Sequence, residues 1–279
     1  MSTVTRRAPA KINLYLRVTG RRPDGYHEID SLFLPLELGD VVKVQVTGAS
    51  EVRISCSCPG HPDLEGPENL AARAAARLLE RAGLTARVDI TVEKRIWIAA
   101  GLGGGSSDAA AVLLALRDLL GVASGLGEVA RGLGADVPFF IAPRPARATG
   151  VGDRLTPLAD FPGLELALVN PGVRLSTAAV YRALAGTPSA GWTPPPLDPP
   201  ANLPELLHND LTVPASSLCP EVEVMHEALR RQGALGTGLS GSGPTVFGVF
   251  LDAPSAAAAV ENIADTTGFS AVSTRSLCS

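Results

Sequence analysis

Residues 101–108 read Gly-Leu-Gly-Gly-Gly-Ser-Ser-Asp, and the helical run Ala109–Leu120 follows at once. This segment constrains the chain more than any other. First-turn N–H groups of a helix have no internal partners and carry the positive end of the dipole, while glycines let backbone approach phosphate oxygens without a Cβ in between. Three consecutive glycines between an apolar strand and a long helix also carry a conformational entropy cost that a plain connection avoids. The segment lacks the Gly-Lys-Ser/Thr ending of a P-loop, and no third glycine of a dinucleotide fingerprint falls in place when counted from Gly101 or Gly103. Ser106 and Ser107 are expected to cap the helix and can also face a phosphate or a magnesium ion. A glycine-rich turn with a serine cap is the plain alternative.

At 279 residues, 46% of them hydrophobic, the chain can build one large domain or two modest ones around a proper core. A net charge of −4 provides no basic excess for a nucleic-acid partner. Met1–Gly20 holds no apolar stretch of signal-peptide length, and the longest apolar run, Ala109–Leu116, is far short of a membrane span. A soluble, cytoplasmic protein with no membrane and no nucleic-acid partner is expected. Cys56, Cys58, Cys219 and Cys278 are too few and too scattered for a disulfide framework. Cys56-Ser-Cys58 with His61 nearby lacks a second ligand pair at zinc spacing, and no metal ligands are assigned.

Along the chain, strand and helix signals alternate without repeats. Ala10–Val18 has strand periodicity: Ala10, Ile12, Leu14, Leu16 and Val18 on one face, Lys11, Asn13, Tyr15 and Arg17 on the other. The first face is expected to be buried, with Lys11 and Asn13 projecting opposite the core. A turn at Arg21–Gly25 leads to a second strand from Tyr26 to Leu36, which places Tyr26 and His27 just beyond a hairpin tip. Further strands are expected at Val41–Val46, Val52–Ser57, Val88–Val92, Leu164–Val169 and Thr245–Leu251. Helices are expected at Asn69–Ala82, Ala109–Leu120, Thr177–Ala185, Glu221–Gln232 and Ser255–Ile263, with a shorter one near Leu126–Gly132. Asp136-Val-Pro reads as a helix start with the carboxylate as cap. A second glycine-rich loop is expected over Gly236–Gly243, and Thr187–Pro204 reads as a proline-rich loop. A soft domain boundary falls near Gly150–Asp153.

The chain contains 21 arginines but only three lysines, Lys11, Lys43 and Lys94. Lys43 alternates with valines and suits a solvated strand face. Lys11 and Lys94 adjoin the segments where chemistry is expected, and a compact ammonium there differs usefully from a rigid guanidinium fork.

Pro9-Ala-Lys-Ile-Asn-Leu, Pro23-Asp-Gly-Tyr-His-Glu, Gly101–Asp108, Gly134-Ala-Asp-Val-Pro and Leu239-Ser-Gly-Ser-Gly-Pro together resemble the GHMP small-molecule kinases. The Pro-Ala-Lys-Ile-Asn start joined to Gly-Tyr-His narrows the likeness to the branch acting on a cytidine diphosphate-linked methylerythritol. The resemblance implies an α/β (α+β) fold of two domains, residues 1–150 resembling the ribosomal S5-like superfold and residues 151–279 an α+β domain, with the active site in the cleft between.

It implies catalysis by Asp136 as base on the acceptor hydroxyl and by Lys11 as its electrostatic partner. ATP is implied as cosubstrate, with Mg²⁺. The ATP loop maps onto Trp97, Ile98, Ala99, Ala100, Gly101, Leu102, Gly103, Gly104, Gly105, Ser106 and Ser107, with Asn69 and Lys94 as neighbours. Tyr26, His27 and Tyr181 are implied to hold the cytosine, Asn13 and Thr177 the rest of the small-molecule acceptor. The implied reaction is phosphorylation of the acceptor's 2-hydroxyl in the non-mevalonate isoprenoid pathway, by a monomer or homodimer. A relative acting on mevalonate, homoserine or a sugar, or an inactive metabolite-binding relative, shares the glycine loops. Ala99-Ala100 depart from the further glycines common in relatives, and Asp108 stands where asparagine is frequent. That carboxylate either repels the nucleotide or ligates magnesium, and the sequence leaves the choice open.

Overall fold

The computed structural model describes residues 1–122, 124–184 and 203–278. It divides into two compact units, each made of several chain segments. Residues 1–10, 38–96 and 103–143 form the first; residues 11–37, 97–102 and 144–279 form the second. Two long strands, β1 (Ser2–Arg21) and β2 (His27–Gly48), contribute to both. The boundary read near Gly150–Asp153 lies inside the second unit.

In the first unit, β3 (Arg53–Ser57) runs parallel to β4 (Ala86–Glu93), and β4 pairs antiparallel with the Val41–Gly48 part of β2. Helix α1 (Leu70–Ala82) starts at Asn69, whose Oδ1 accepts from the Ala71 N–H, and ends at Gly83 in the left-handed region. Its alanines Ala71, Ala72, Ala74 and Ala75 are buried, so the long helix α2 (Gly104–Leu120), itself alanine-rich, can pack closely on it. Two short helices follow, α3 (Leu126–Leu133) and α4 (Val137–Ile141).

In the second unit, residues Ile29–Phe33 of β2 pair antiparallel with β5 (Ala146–Gly150), which pairs in turn with β6 (Arg154–Pro157). A four-stranded antiparallel sheet has the order β10-β7-β9-β8, with β7 at Glu165–Asn170, β8 at Gly236–Leu239, β9 at Val246–Phe250 and β10 at Ser270–Arg275. Helices α5 (Thr177–Ala183), α6 (Leu203–Leu206), α7 (Thr212–Leu218), α8 (Glu221–Arg231) and α9 (Ala253–Thr267) complete the unit. Its core joins Leu16 and Val18 of β1 to Val169, Val180, Leu211, Met225, Leu229, Val246 and Ile263.

Several expectations are corrected. The strands read at 26–36 and 41–46 are one continuous strand, because Glu37–Asp40 stays extended between them. Helix α2 begins at Gly104 rather than Ala109, so its cap is Gly103 at φ +72° and Ser106 and Ser107 lie inside the first turn. The first four residues of Gly236–Gly243 are strand β8, since they pair with β9. β1 is buried on both faces: Lys11, Asn13 and Tyr15 are at most 4% exposed. Strands β5, β6 and β10 and helix α7 carry no pattern strong enough to read locally. Most of Thr187–Pro204, with Trp192, lies outside the described residues, as does Ala185 at the end of the helix expected from Thr177.

Candidate active site

In the second unit, the polar face of β1 is a hydrogen-bonded seam. The Lys11 Nζ donates to Asn13 Oδ1 at 2.5 Å and stands 5.0 Å from the centre of the Phe33 ring. Asn13 Nδ2 donates to Ser31 Oγ, which donates on to the Tyr15 carbonyl. The Tyr15 hydroxyl donates to Asp30, which Arg147 also pairs with. Burial, reinforced by the Asp30 charge, holds the Tyr15 phenol well above its ordinary pKa, so it stays protonated as a donor. A polar face can be buried at little cost when every group on it is paired.

Both glycine-rich segments meet this strand. The Lys11 N–H donates to the Leu102 carbonyl, the Ser240 hydroxyl donates to the Gly101 carbonyl, and the Asn13 N–H reaches Ser240 Oγ at 3.4 Å. A Cβ on Gly101, whose φ is +76°, would lie 2.2 Å from the Ser240 carbonyl oxygen. The glycine is thus needed for close backbone approach as well as for conformation. Ala99 adopts φ +53°, a left-handed conformation that glycine takes without strain.

Residues singled out for the acceptor lie in the same unit. Tyr26 is 66% exposed at the hairpin tip, where its N–H donates to Asp24. The rings of His27 and Tyr181 stack at 4.9 Å and 27°. Burial and the nearby Arg21 charge lower the His27 pKa, which favours the neutral imidazole. Thr177, first residue of α5, shares a 2.8 Å hydroxyl contact with Ser242 beyond β8.

In the first unit, α2 opens beneath an ion cluster. Lys94 Nζ donates to Asp40 Oδ2 at 2.5 Å and to Asp108 Oδ2 at 2.8 Å, and all three side chains are nearly inaccessible. Asp40 Oδ1 also accepts from the Arg95 and Ile96 N–H groups. Burial raises the Asp108 pKa and Asp40 adds to it, while Lys94 opposes both. Burial alone would lower the Lys94 pKa, but the two carboxylates outweigh it and keep the ammonium charged. The charge of Asp108 is therefore shared with an ammonium, which weakens any repulsion of a nucleotide.

Ser107 Oγ and Asp108 Oδ1 are buried and have no hydrogen-bond partner among the described residues. A Cβ on Gly104 would touch Ile96 and Lys94, but one on Gly105 would meet nothing within 4 Å. Asn69 uses both side-chain ends locally, capping α1 and donating to the Leu64 carbonyl at 2.7 Å. Trp97 and Ile98 are half-buried. Asp136 stands at the start of α4, yet its carboxylate makes no capping hydrogen bond, contrary to the sequence reading. Among the described residues, no group of three or more His, Cys, Asp or Glu side chains could hold a metal, and no helix is long and apolar enough to cross a membrane.

Comparison with known proteins places these features in a family. The GHMP kinases N terminal domain matches residues 69–142, and the GHMP kinases C terminal domain matches residues 200–267. A 4-diphosphocytidyl-2-C-methyl-D-erythritol kinase from Geobacter sp. (strain M21) is 44% identical over 276 residues, covering 97% of this chain and 98% of the relative. The chain belongs to the GHMP kinase family. Within it, the chain groups with the 4-diphosphocytidyl-2-C-methyl-D-erythritol kinases. One from Anaeromyxobacter dehalogenans (strain 2CP-C) is 47% identical over 87% of this chain and 79% of its own length. A solved 4-(cytidine 5'-diphospho)-2C-methyl-D-erythritol kinase superposes with a TM-score of 0.85 at 40% identity, covering 98% of this chain and 99% of that one. A homoserine kinase from Cytophaga hutchinsonii, at TM-score 0.75 and 18% identity, shares the fold.

As a GHMP kinase, the chain is an ATP-dependent enzyme with the family's two-domain α/β fold. The residues missed from sequence are those that hold the seam and the loops: Ser31, Asp30, Asp40, Arg147 and Asn209. Each is a polar residue without a local pattern, paired with groups distant in the chain.

Proposed function

We propose that this enzyme transfers the γ-phosphoryl group of ATP to the 2-hydroxyl of 4-diphosphocytidyl-2-C-methyl-D-erythritol. The full-length similarity to kinases of that name carries the reading. The exposed Tyr26 beside the stacked His27 and Tyr181 rings supports it, because aromatic faces are the usual means of holding a pyrimidine. Residues 1–150 and 151–279 are proposed as the family's N- and C-terminal domains, and the cytoplasm as the enzyme's location.

In this mechanism the Asp136 carboxylate receives the proton of the acceptor hydroxyl. The freed oxygen attacks the γ-phosphorus, the bond to the β-phosphate oxygen breaks, and ADP leaves. Lys11 supplies a fixed positive charge, and its hydrogen bond to Asn13 sets the ammonium's position before substrate arrives. Residues Trp97–Ser107 form the phosphate loop, Asn69 and Lys94 support the nucleotide, and Asn13 and Thr177 hold the acceptor. Lys94 acts through the loop it adjoins, since both its carboxylate partners are buried with it.

Mg²⁺ fits the same loop. Ser107 Oγ and Asp108 Oδ1 are hard oxygen donors at the start of α2 that have no hydrogen-bond partner among the described residues. When bound, the ion neutralises charge on the phosphate oxygens.

The test is turnover of purified protein with ATP and, in separate reactions, the cytidyl acceptor, mevalonate, homoserine and galactose. Only the first should be phosphorylated. Asp136→Asn and Lys11→Ala should each lower kcat by about two to four orders of magnitude while the fold persists. Equal activity on another acceptor, or a fully active folded variant, contradicts the assignment.

A further inference from the structure

The second glycine-rich segment, Leu239–Gly243, lies against the strand that carries Lys11 and Asn13. A Cβ built on Gly241 would come 3.3 Å from Asn13 Oδ1, 3.5 Å from the Gly101 carbonyl oxygen and 3.6 Å from Lys11 Nζ. Something must fix the height of this backbone over the two side chains. Ser240 supplies one tie, through its hydroxyl to Gly101. A further tie comes from a residue outside all five family-like segments.

Asn209 is 6% exposed and sits in the connection before α7. Its Nδ2 donates to the Leu239 carbonyl at 2.9 Å and to the Gly241 carbonyl at 2.8 Å, and its Oδ1 accepts from the Leu211 N–H at 2.8 Å. Both amide protons are therefore committed to the two carbonyls flanking Ser240. The segment that carries Asn209 is itself fixed to β1. The Leu16 N–H donates to the His208 carbonyl and the Asp210 N–H to the Leu16 carbonyl, both at 2.9 Å. Asp210 further accepts from the Val18 N–H and pairs with Arg17. The same strand thus carries Lys11 and Asn13 at one point and, five residues on from Lys11, the anchor of the side chain that holds the loop over them.

We propose that Asn209 is a positioning residue for phosphoryl transfer: it fixes the Leu239–Gly243 backbone against Lys11 and Asn13 and so holds those two side chains in their reactive placement. The inference rests on the assignment of Lys11 and Asn13 to the acceptor side of the reaction. Among the described residues no other side chain donates to both carbonyls, and a primary amide is the one group that can donate twice while accepting once in this geometry.

Asn209→Asp and Asn209→Ala test it, assayed with ATP and the cytidyl acceptor across pH 5.5–8.5. The aspartate keeps the acceptor for Leu211 but turns a carboxylate onto two carbonyl oxygens. At pH 8, kcat should fall by about 10- to 100-fold in both variants, the effect of a misplacement on the order of 1 Å, with each KM within about threefold of wild type. As pH falls, the aspartate should gain a proton and donate one hydrogen bond. Its kcat relative to wild type should rise, while the alanine ratio stays level.

A merely structural role would lower the folded fraction in both variants without that divergence. Parallel pH ratios, or kcat within about twofold of wild type in folded protein, overturn the proposal. Gly241→Ala guards against loss of folding in the Asn209 variants. It crowds the same loop from the Lys11 side at φ +58° and should lower kcat with Asn209 intact; unchanged kcat overturns the proposal too. A wild type inert toward the cytidyl acceptor, or a fully active Lys11→Ala, refutes the underlying assignment instead.

Discussion

Gly105→Ala should make the folded protein more stable and the enzyme worse. Gly105 occupies the first turn of α2, and a Cβ there meets no protein atom within 4 Å. Glycine in a helix is less stable than alanine by roughly 0.5–1 kcal/mol, with the smaller figure apt for a first turn. The substitution removes that cost and introduces no clash with the protein. Unfolding should therefore shift upward by about 1–3 °C, the conversion for a chain of this size class. Nothing in the fold requires glycine at this position, so the empty space calls for another explanation.

A nucleotide phosphate lying against the first turn supplies one. A methyl group placed where a phosphate oxygen packs forces a shift costing about 1–3 kcal/mol, so ATP affinity should fall by roughly 5- to 150-fold. Calorimetric titration with ATP gives the affinity, and thermal unfolding without nucleotide gives the stability. Gly104→Ala is the contrast, because its Cβ would lie 3.1 Å from Ile96 Cγ2 and 3.3 Å from Lys94 Nζ, so stability itself should suffer. Unchanged ATP affinity in Gly105→Ala would show that the turn is only a turn. A loss of stability there would refute the reading of the space as open.

Three further outcomes follow from the buried polar groups and the hairpin tip. Asp40→Ala strips Lys94 of one carboxylate and leaves the Arg95 and Ile96 N–H groups without their acceptor. Denaturant unfolding should register a loss of about 3–5 kcal/mol, and a loss below about 1 kcal/mol would mean that the cluster relaxes freely. Burial pushes the His226 imidazole down to about 4 from 6.5, so the unfolded chain binds more protons between those values. Stability should fall as pH drops from 6.5 towards 4, by about 3 kcal/mol at most, and His226→Gln should flatten that slope; an identical slope in the variant refutes the assignment. Tyr26→Ala should weaken the cytidyl acceptor by roughly 1–3 kcal/mol and leave ATP affinity unchanged, whereas joint loss of both would point to a packing role.

Much of the candidate site's layout was legible because it rests on local segments. The glycine segment before α2, the alternation that puts Lys11 and Asn13 on one face of β1, and the Asp-Gly turn before Tyr26 are each contained in a few consecutive residues. The start of α2 was misplaced because glycine propensity argues against helix, whereas α2 is held by tertiary contacts of its buried small-residue face. Strands β5 and β10 were missed for a related reason: each is set by pairing with a distant strand, β2 and β7 respectively, rather than by its own alternation.

The solvent exposure expected for the second face of β1 failed on a subtler point. Alternation distinguishes apolar from polar positions, but a polar face reads as exposed only if its partners cannot be foreseen. Here they come from Ser31, Asp30, Arg147, Ser240 and Asp210, up to 227 residues away from the groups they satisfy. In sequence, nothing singles out Asn209-Asp210, since Asn and Asp are common in connections between elements. What sets the pair apart is geometric: Asp210 binds β1 while Asn209 turns its amide to the second glycine segment. A strand can therefore bury an ammonium and an amide in the interior because the chain returns, nearly two hundred residues later, with the residues that hold the loop closing over them.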